Sequence, residues 1–152
     1  MKEDIVPPER EMNSQAGNAR RFRIDADTGE TAIDIEFPET LPNGKQPNNY
    51  KVVKKDIPDA AKGLSYGGKE VKWINCFGIR VRNPNSNNPF IEDAGEQFSY
   101  VVIVPASSKP AGYNTLVYFD GTNVQPANPS TDSDGNFRFS LNIGDPPNGW
   151  GG

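Results

Sequence analysis

Between Arg20 and Phe37 the chain alternates strictly. Phe22, Ile24 and Ala26 are apolar against Arg21, Arg23 and Asp25; after a short interruption Ile33, Ile35 and Phe37 alternate with Asp34 and Glu36. A period of two is the signature of a strand with one buried face. Pairing Ala26 with Thr31 across Asp27-Thr28-Gly29-Glu30 sets Ile24 opposite Ile33 and Phe22 opposite Ile35. It also sets Arg23 opposite Asp34 and Arg21 opposite Glu36. A slip by one residue would put Phe22 against Asp34, so the pattern selects its own register. A hairpin is predicted, with Gly29 supplying the turn's positive φ. The Arg–Asp and Arg–Glu pairs are expected to be solvated, each worth less than about 1 kcal/mol.

Further strands follow from the same signal. Tyr50 to Ile57 reads as a strand whose lysines place it at a sheet edge. A short helical turn is expected at Asp59-Ala60-Ala61-Lys62. In EVKWINCFGIRVR, residues 70–82, the face Val71, Trp73, Phe77, Ile79 and Val81 is predicted to be core, with Asn75 the odd member and Gly78 marking a bulge or close approach. The other face carries Lys72, Ile74, Cys76, Arg80 and Arg82. Phe98 to Val104 is nearly continuous and β-branched, hence a central strand. Tyr113 to Asp120 turns at Asp120-Gly121 into Thr122 to Gln125, and Phe137, Phe139, Leu141 and Ile143 line the last strand.

About seven or eight antiparallel strands without an amphipathic helix predict an all-β chain, a single β-sandwich of jelly-roll or Ig-like Greek-key type. The antibody-type Cys…Trp…Cys arrangement is absent. The expected organisation is an N-terminal arm over 1–19, the sandwich over 20–144 and a Gly/Pro-rich tail over 145–152.

Composition sharpens this picture chiefly by exclusion. The 152 residues include no histidine, which removes Ser-His-Asp and Cys-His machinery, histidine bases and the usual zinc sites. The single cysteine, Cys76, has no internal disulfide partner and reads as a small buried hydrophobe. A net charge of -4 argues against non-specific nucleic-acid binding. The start, MKEDIVPPEREMNSQ, has no apolar h-region, and no later run is long enough for a membrane helix.

Candidate chemistry is sparse. In TDSDGNFRF, residues 131–139, Asp132 and Asp134 could serve calcium. With Gly135 as the sixth position of an EF-hand loop, however, Leu141 falls where the bidentate glutamate belongs. A calcium site would need carboxylates from another loop, Asp25 and Asp27 or Glu92 and Asp93. Otherwise Asp134-Gly135 is simply a turn into a strand. Tyr66 before Gly67-Gly68, and Trp150 between Gly149 and Gly151, are the aromatics expected on loops, where they could stack on a sugar or anchor a protein interface. Lys72, Arg80 and Arg82 are expected to form a solvated strand face. No carboxylate pair stands out as a general acid and base.

The texture of Asn/Pro/Gly loops and long polar termini is similar to small β-sandwich modules of virus particles and phage tails. It implies a non-catalytic structural or assembly protein: a capsid decoration, capsid or tail component whose arms contact other copies or other subunits. Ile5, Val6 and Trp150 are the expected anchors. It would be located in a virion or on an extracellular surface, with no nucleic-acid or membrane partner. The alternative is an extracellular carbohydrate- or calcium-binding adhesion module of a larger surface protein.

Overall fold

A computed structural model describes residues 10–15, 18–26, 31–38, 50–81, 99–142 and 146–152. The strands are β1 Arg10–Met12, β2 Ser14–Gln15, β3 Asn18–Ile24, β4 Ile33–Glu36, β5 Tyr50–Lys54, β6 Ser65–Tyr66, β7 Lys69–Glu70, β8 Lys72–Val81, β9 Tyr100–Val104, β10 Thr115–Phe119, β11 Val124–Pro126, β12 Ser130–Thr131, β13 Phe137–Leu141 and β14 Pro147–Gly151. Eight of them have four residues or more, and the other six are short additions at sheet rims and corners. The strand count therefore exceeds the expected seven or eight.

Two six-stranded sheets pack face to face. Sheet I has the order β1-β5-β8-β14-β10-β11 and sheet II the order β12-β13-β9-β4-β3-β2, with β6-β7 as a separate small hairpin. The pairings are antiparallel throughout the described residues. The fold is an all-β sandwich. Phe22, Ile24, Ile33, Ile35 and Phe37 from one hairpin meet Val52, Phe77, Ile79, Leu116 and Trp150 from the opposite sheet in a single core. Strands β9 and β14 each return beside strands from distant parts of the chain, as Greek-key connections do.

The β3–β4 hairpin takes the register its alternation dictates, with Ile24 opposite Ile33, Phe22 opposite Ile35, Arg23 opposite Asp34 and Arg21 opposite Glu36. Strand β9 lies inside sheet II, between β13 and β4, as its apolar run requires. The Asp59–Lys62 segment forms a turn closed by Ala61 N–H donating to the Pro58 carbonyl and Lys62 N–H to that of Asp59.

Four expectations are overturned. Strand β5 is not an edge: β1 pairs with it and covers its flank, so Lys51 and Lys54 are buried. Lys51 Nζ reaches Glu11 of β1 at 3.0 Å, and Lys54 Nζ donates to the Lys55 carbonyl. The N-terminal arm does not begin the fold from outside it: residues 10–15 enter both sheets, β1 in I and β2 in II, and residues 18 and 19 open β3. The supposed tail is strand β14 in the interior of sheet I, paired with β8 on one side and β10 on the other.

The fourth correction exchanges the two tryptophans. Asn148 pairs with Asn75 and Gly149 with Trp73, so Ile74 is an extra residue bulged out of register. The bulge reverses the alternation: Ile74 joins Phe77 and Ile79 in the core, and Trp73 leaves it. Trp73 is half-buried on the outer face, where its indole N–H donates to the Ala61 carbonyl at 2.9 Å and its ring meets Phe119 edge-on. Gly78, expected to mark the irregularity, pairs regularly with Val53. Trp150 is 2% exposed, its ring edge-on to Phe137 at 5.4 Å and its indole N–H donating to Ser108 Oγ. Gly149 must be glycine, because a Cβ there would lie 2.6 Å from the Lys72 carbonyl oxygen and 2.7 Å from Val71 Cγ1.

Replacing Trp150 with Ala should therefore cost about 3–5 kcal/mol in urea denaturation. Trp73→Ala, which removes a half-buried ring at the rim, should cost clearly less. The reverse order would contradict the placement of the two rings.

Candidate functional site

On the outer face of sheet II the charges of β3, β4 and β13 converge. Arg21 Nε donates to Asp34 Oδ2 at 2.9 Å, and Arg23 Nε donates to Asp34 Oδ1. Asp34 is only 4% exposed, which corrects the expectation of solvated pairs. The geometry explains it: Arg21 and Arg23 are two apart on β3, so both project to the same face and close on one carboxylate. Glu36 receives Arg138 Nη2 at 3.1 Å from across the sheet. Arg138 also approaches Asp132 at 3.9 Å. The Arg21–Asp34 end borders a cleft of only about 80 Å³ above Ile103 and Pro105.

Two carboxylates organise turns. Asp132 Oδ1 accepts from the backbone N–H of Asp134 and of Asn136, both at 2.9 Å, while the Gly135 N–H donates to the Asp132 carbonyl. Gly135 has φ +84°, a conformation this turn requires. Asp134 is exposed. Among the described residues no three acidic, Cys or His side chains gather as a metal site would need; Asp25 is exposed, and Asp27, Glu92 and Asp93 lie outside the described residues. At the β10–β11 hairpin, Asp120 Oδ1 accepts from the N–H of Thr122 and Asn123, and Oδ2 accepts from Gln125 Nε2. Those bonds, Asn123 foremost, then Thr122 and Gln125, hold its carboxyl below the ordinary value of 3.8.

The other sequence candidates are dispersed. Tyr66 is half-buried, with its Cβ 2.9 Å from where a Cβ on Gly151 would stand, so Tyr66 and Trp150 do not form a paired stacking platform. Ile5, Val6 and Arg82 lie outside the described residues, as does the side chain of Arg80. Lys72 is exposed and, with Lys69, leans over the Tyr113 ring at 5.1 and 4.8 Å. Cys76 is buried, as expected.

Inside the sandwich, Asn75 and Asn148 face each other as register partners with no exposed surface. Asn75 Nδ2 points toward the carbonyls of Ile24, Asp25 and Thr31, tying the bulge in β8 to the end of the β3–β4 hairpin. Asn148 Nδ2 donates to the Pro146 carbonyl, and neither Oδ1 meets a donor among the described residues.

Larger grooves lie elsewhere among the described residues. One, about 250 Å³, lies on the outer side of sheet I beside Lys55, Pro58, Cys76, Phe119 and Asp120. Another, about 270 Å³, opens at one end of the sandwich: Leu116, Phe137 and Trp150 form its base, and Lys109, Asn114, Thr115, Asn128 and Pro129 its rim. Sequence reasoning missed this second groove, since its rim comes from loops read only as turns. The one local sign was Asn128-Pro129, where Asn128 takes φ +51°, the only positive φ outside glycine among the described residues. No family model matches the chain, and neither a curated protein nor a solved structure matches it.

Two outcomes follow. Asp34→Ala leaves two guanidinium groups without their shared carboxylate and should cost about 2–3 kcal/mol in chemical denaturation. In an NMR titration, the Thr122 and Asn123 amides should report a midpoint below 3.8 for Asp120. Because the folded value is depressed, this carboxylate's contribution to stability is complete above the unfolded pKa and disappears as pH falls through the folded one. A midpoint at or above 3.8 would contradict the hydrogen bonding described.

Proposed function

We propose that this chain is a non-catalytic structural module that assembles with copies of itself or with other structural subunits, most concretely as a virion component of the capsid, capsid-decoration or tail kind. The observation that carries this reading is the route of the N-terminal segment. Among the described residues strand β1 is the outer strand of sheet I, and the sequence that precedes it contains Ile5 and Val6. A strand at a sheet rim is where another chain can add to a sheet, and an apolar pair close to it in the sequence would add an anchor.

The disposition of the carboxylates agrees with a scaffold. Asp34 and Glu11 pair with cations on adjoining strands, Glu36 pairs with Arg138 across the intervening β9, and Asp120 and Asp132 cap turns. Each is engaged in holding the sandwich, where an acid–base pair or a calcium site would require them to converge. The net charge of -4 favours protein partners over nucleic acid.

Light scattering on the full chain tests the proposal. An oligomer that dissociates on deletion of residues 1–9, or on Ile5→Asp with Val6→Asp, is the expected result. A monodisperse monomer at all concentrations, unchanged by these variants, would overturn it.

A further inference from the structure

We propose that the end groove between the β9–β10 loop and the β11–β12 corner binds a single sugar ring that carries a carboxylate. This inference is independent of the assembly reading.

The base of the groove is apolar. Leu116 and Trp150 of sheet I lie beneath it, each 2% exposed, and the half-buried Phe137 of sheet II, packed edge-on against Trp150, is the apolar surface a ligand can reach. The C–H face of a pyranose is the part of a polar ligand that suits such a surface. Above it stand Lys109, Asn114 and Asn128, and none of these side chains has a hydrogen bond or ion pair among the described residues. One ammonium and two primary amides provide donors for a carboxylate and both donors and acceptors for ring hydroxyls. At about 270 Å³ the groove is slightly smaller than the usual range for drug-sized ligands, which suits one ring rather than an oligosaccharide.

The rim is also held in place before any ligand arrives. The Lys109 N–H donates to the Ala106 carbonyl, closing a short 3-10 turn over Ala106–Ser108. The Asn114 N–H donates to the Gly151 carbonyl, and the Ala127 N–H to that of Leu116. Asn128 sits in the left-handed region directly before Pro129, although a following proline disfavours helical conformations for its predecessor. Such a backbone persists only where its surroundings enforce it, and it sets the Asn128 side chain at the groove's lip. The clefts beside Asp34 and Asp120 differ. The guanidinium groups at the smaller one close on Asp34, and Asp120 at the other is bound into its own turn.

The test is an NMR titration of the full chain with methyl glucuronide and a methyl sialoside, with methyl glucoside as the neutral control. Either acidic glycoside should shift the side-chain amides of Asn114 and Asn128 and the Trp150 indole N–H. Lys109→Gln, an exposed substitution, should weaken that binding at least about tenfold, as expected for loss of a hydrogen bond to a charged group, with the remaining spectrum unchanged. The proposal is overturned if neither acid binds at about 10 mM. Equal binding of the neutral glycoside, an unaffected Lys109→Gln variant, or shifts confined to residues outside the groove would also overturn it.

Discussion

The structure depends on the seating of β14 between β8 and β10. Sheet I has strands on either side of this segment, β1-β5-β8 and β10-β11, that pair with each other only through it. The strand works because small and large residues alternate along it. Gly149 lets it pass within close range of Lys72 and Val71, while Trp150 on the opposite face fills the space between the sheets. The bulge at Ile74 is the complementary change in β8, and Asn75 with Asn148 occupies the point where the register shifts. A buried amide pair there penalises any other register, since a slipped strand would set Asn148 against an apolar neighbour.

The outer face of sheet II follows a different logic. Its strands β3, β4, β9 and β13 carry apolar residues inward and charged ones outward, yet Ile103 faces outward and is only 3% exposed. The guanidinium groups of Arg21 and Arg23 lie over that side, so their stems shield apolar surface as their heads hold Asp34. Arg138 links β13 to β4 through Glu36, although β9 lies between them. The charges thus link non-adjacent strands across this face.

The legibility of the sequence was uneven for physical reasons. The β3–β4 hairpin could be read with its full register because every alternating position reinforced one answer. Strand β9 was equally plain from its β-branched run. By contrast β14, Pro-Asn-Gly-Trp-Gly, contains no β-branched residue and three of the types that intrinsic preference keeps out of strands. Its place is dictated by tertiary fit, which leaves no local trace. The exchange of Trp73 and Trp150 has the same origin, because one bulged residue inverts a face assignment and Gly78, the visible suspect, was the wrong one. Lysines in β5 suggested an edge only because β1 was invisible as a strand in three residues, Arg-Glu-Met. The end groove draws on positions from 109 to 150, and no spacing rule brings these together.

These constraints rank the ways in which the chain could meet a neighbour. A contact that drew β14 out of sheet I would unpair β8 and β10 and withdraw Trp150 from the core. The indole alone accounts for about 3–5 kcal/mol, a large fraction of a domain's total stability. A contact at β1, the rim of sheet I among the described residues, has no comparable cost, since it leaves both sheets intact. Nor would such a contact occlude the end groove by necessity: that groove is bordered by β10, β13 and β14, while β1 stands at the far rim of sheet I, beyond β5 and β8. The two proposals, assembly at the β1 rim and ligand binding at the end groove, therefore do not exclude each other.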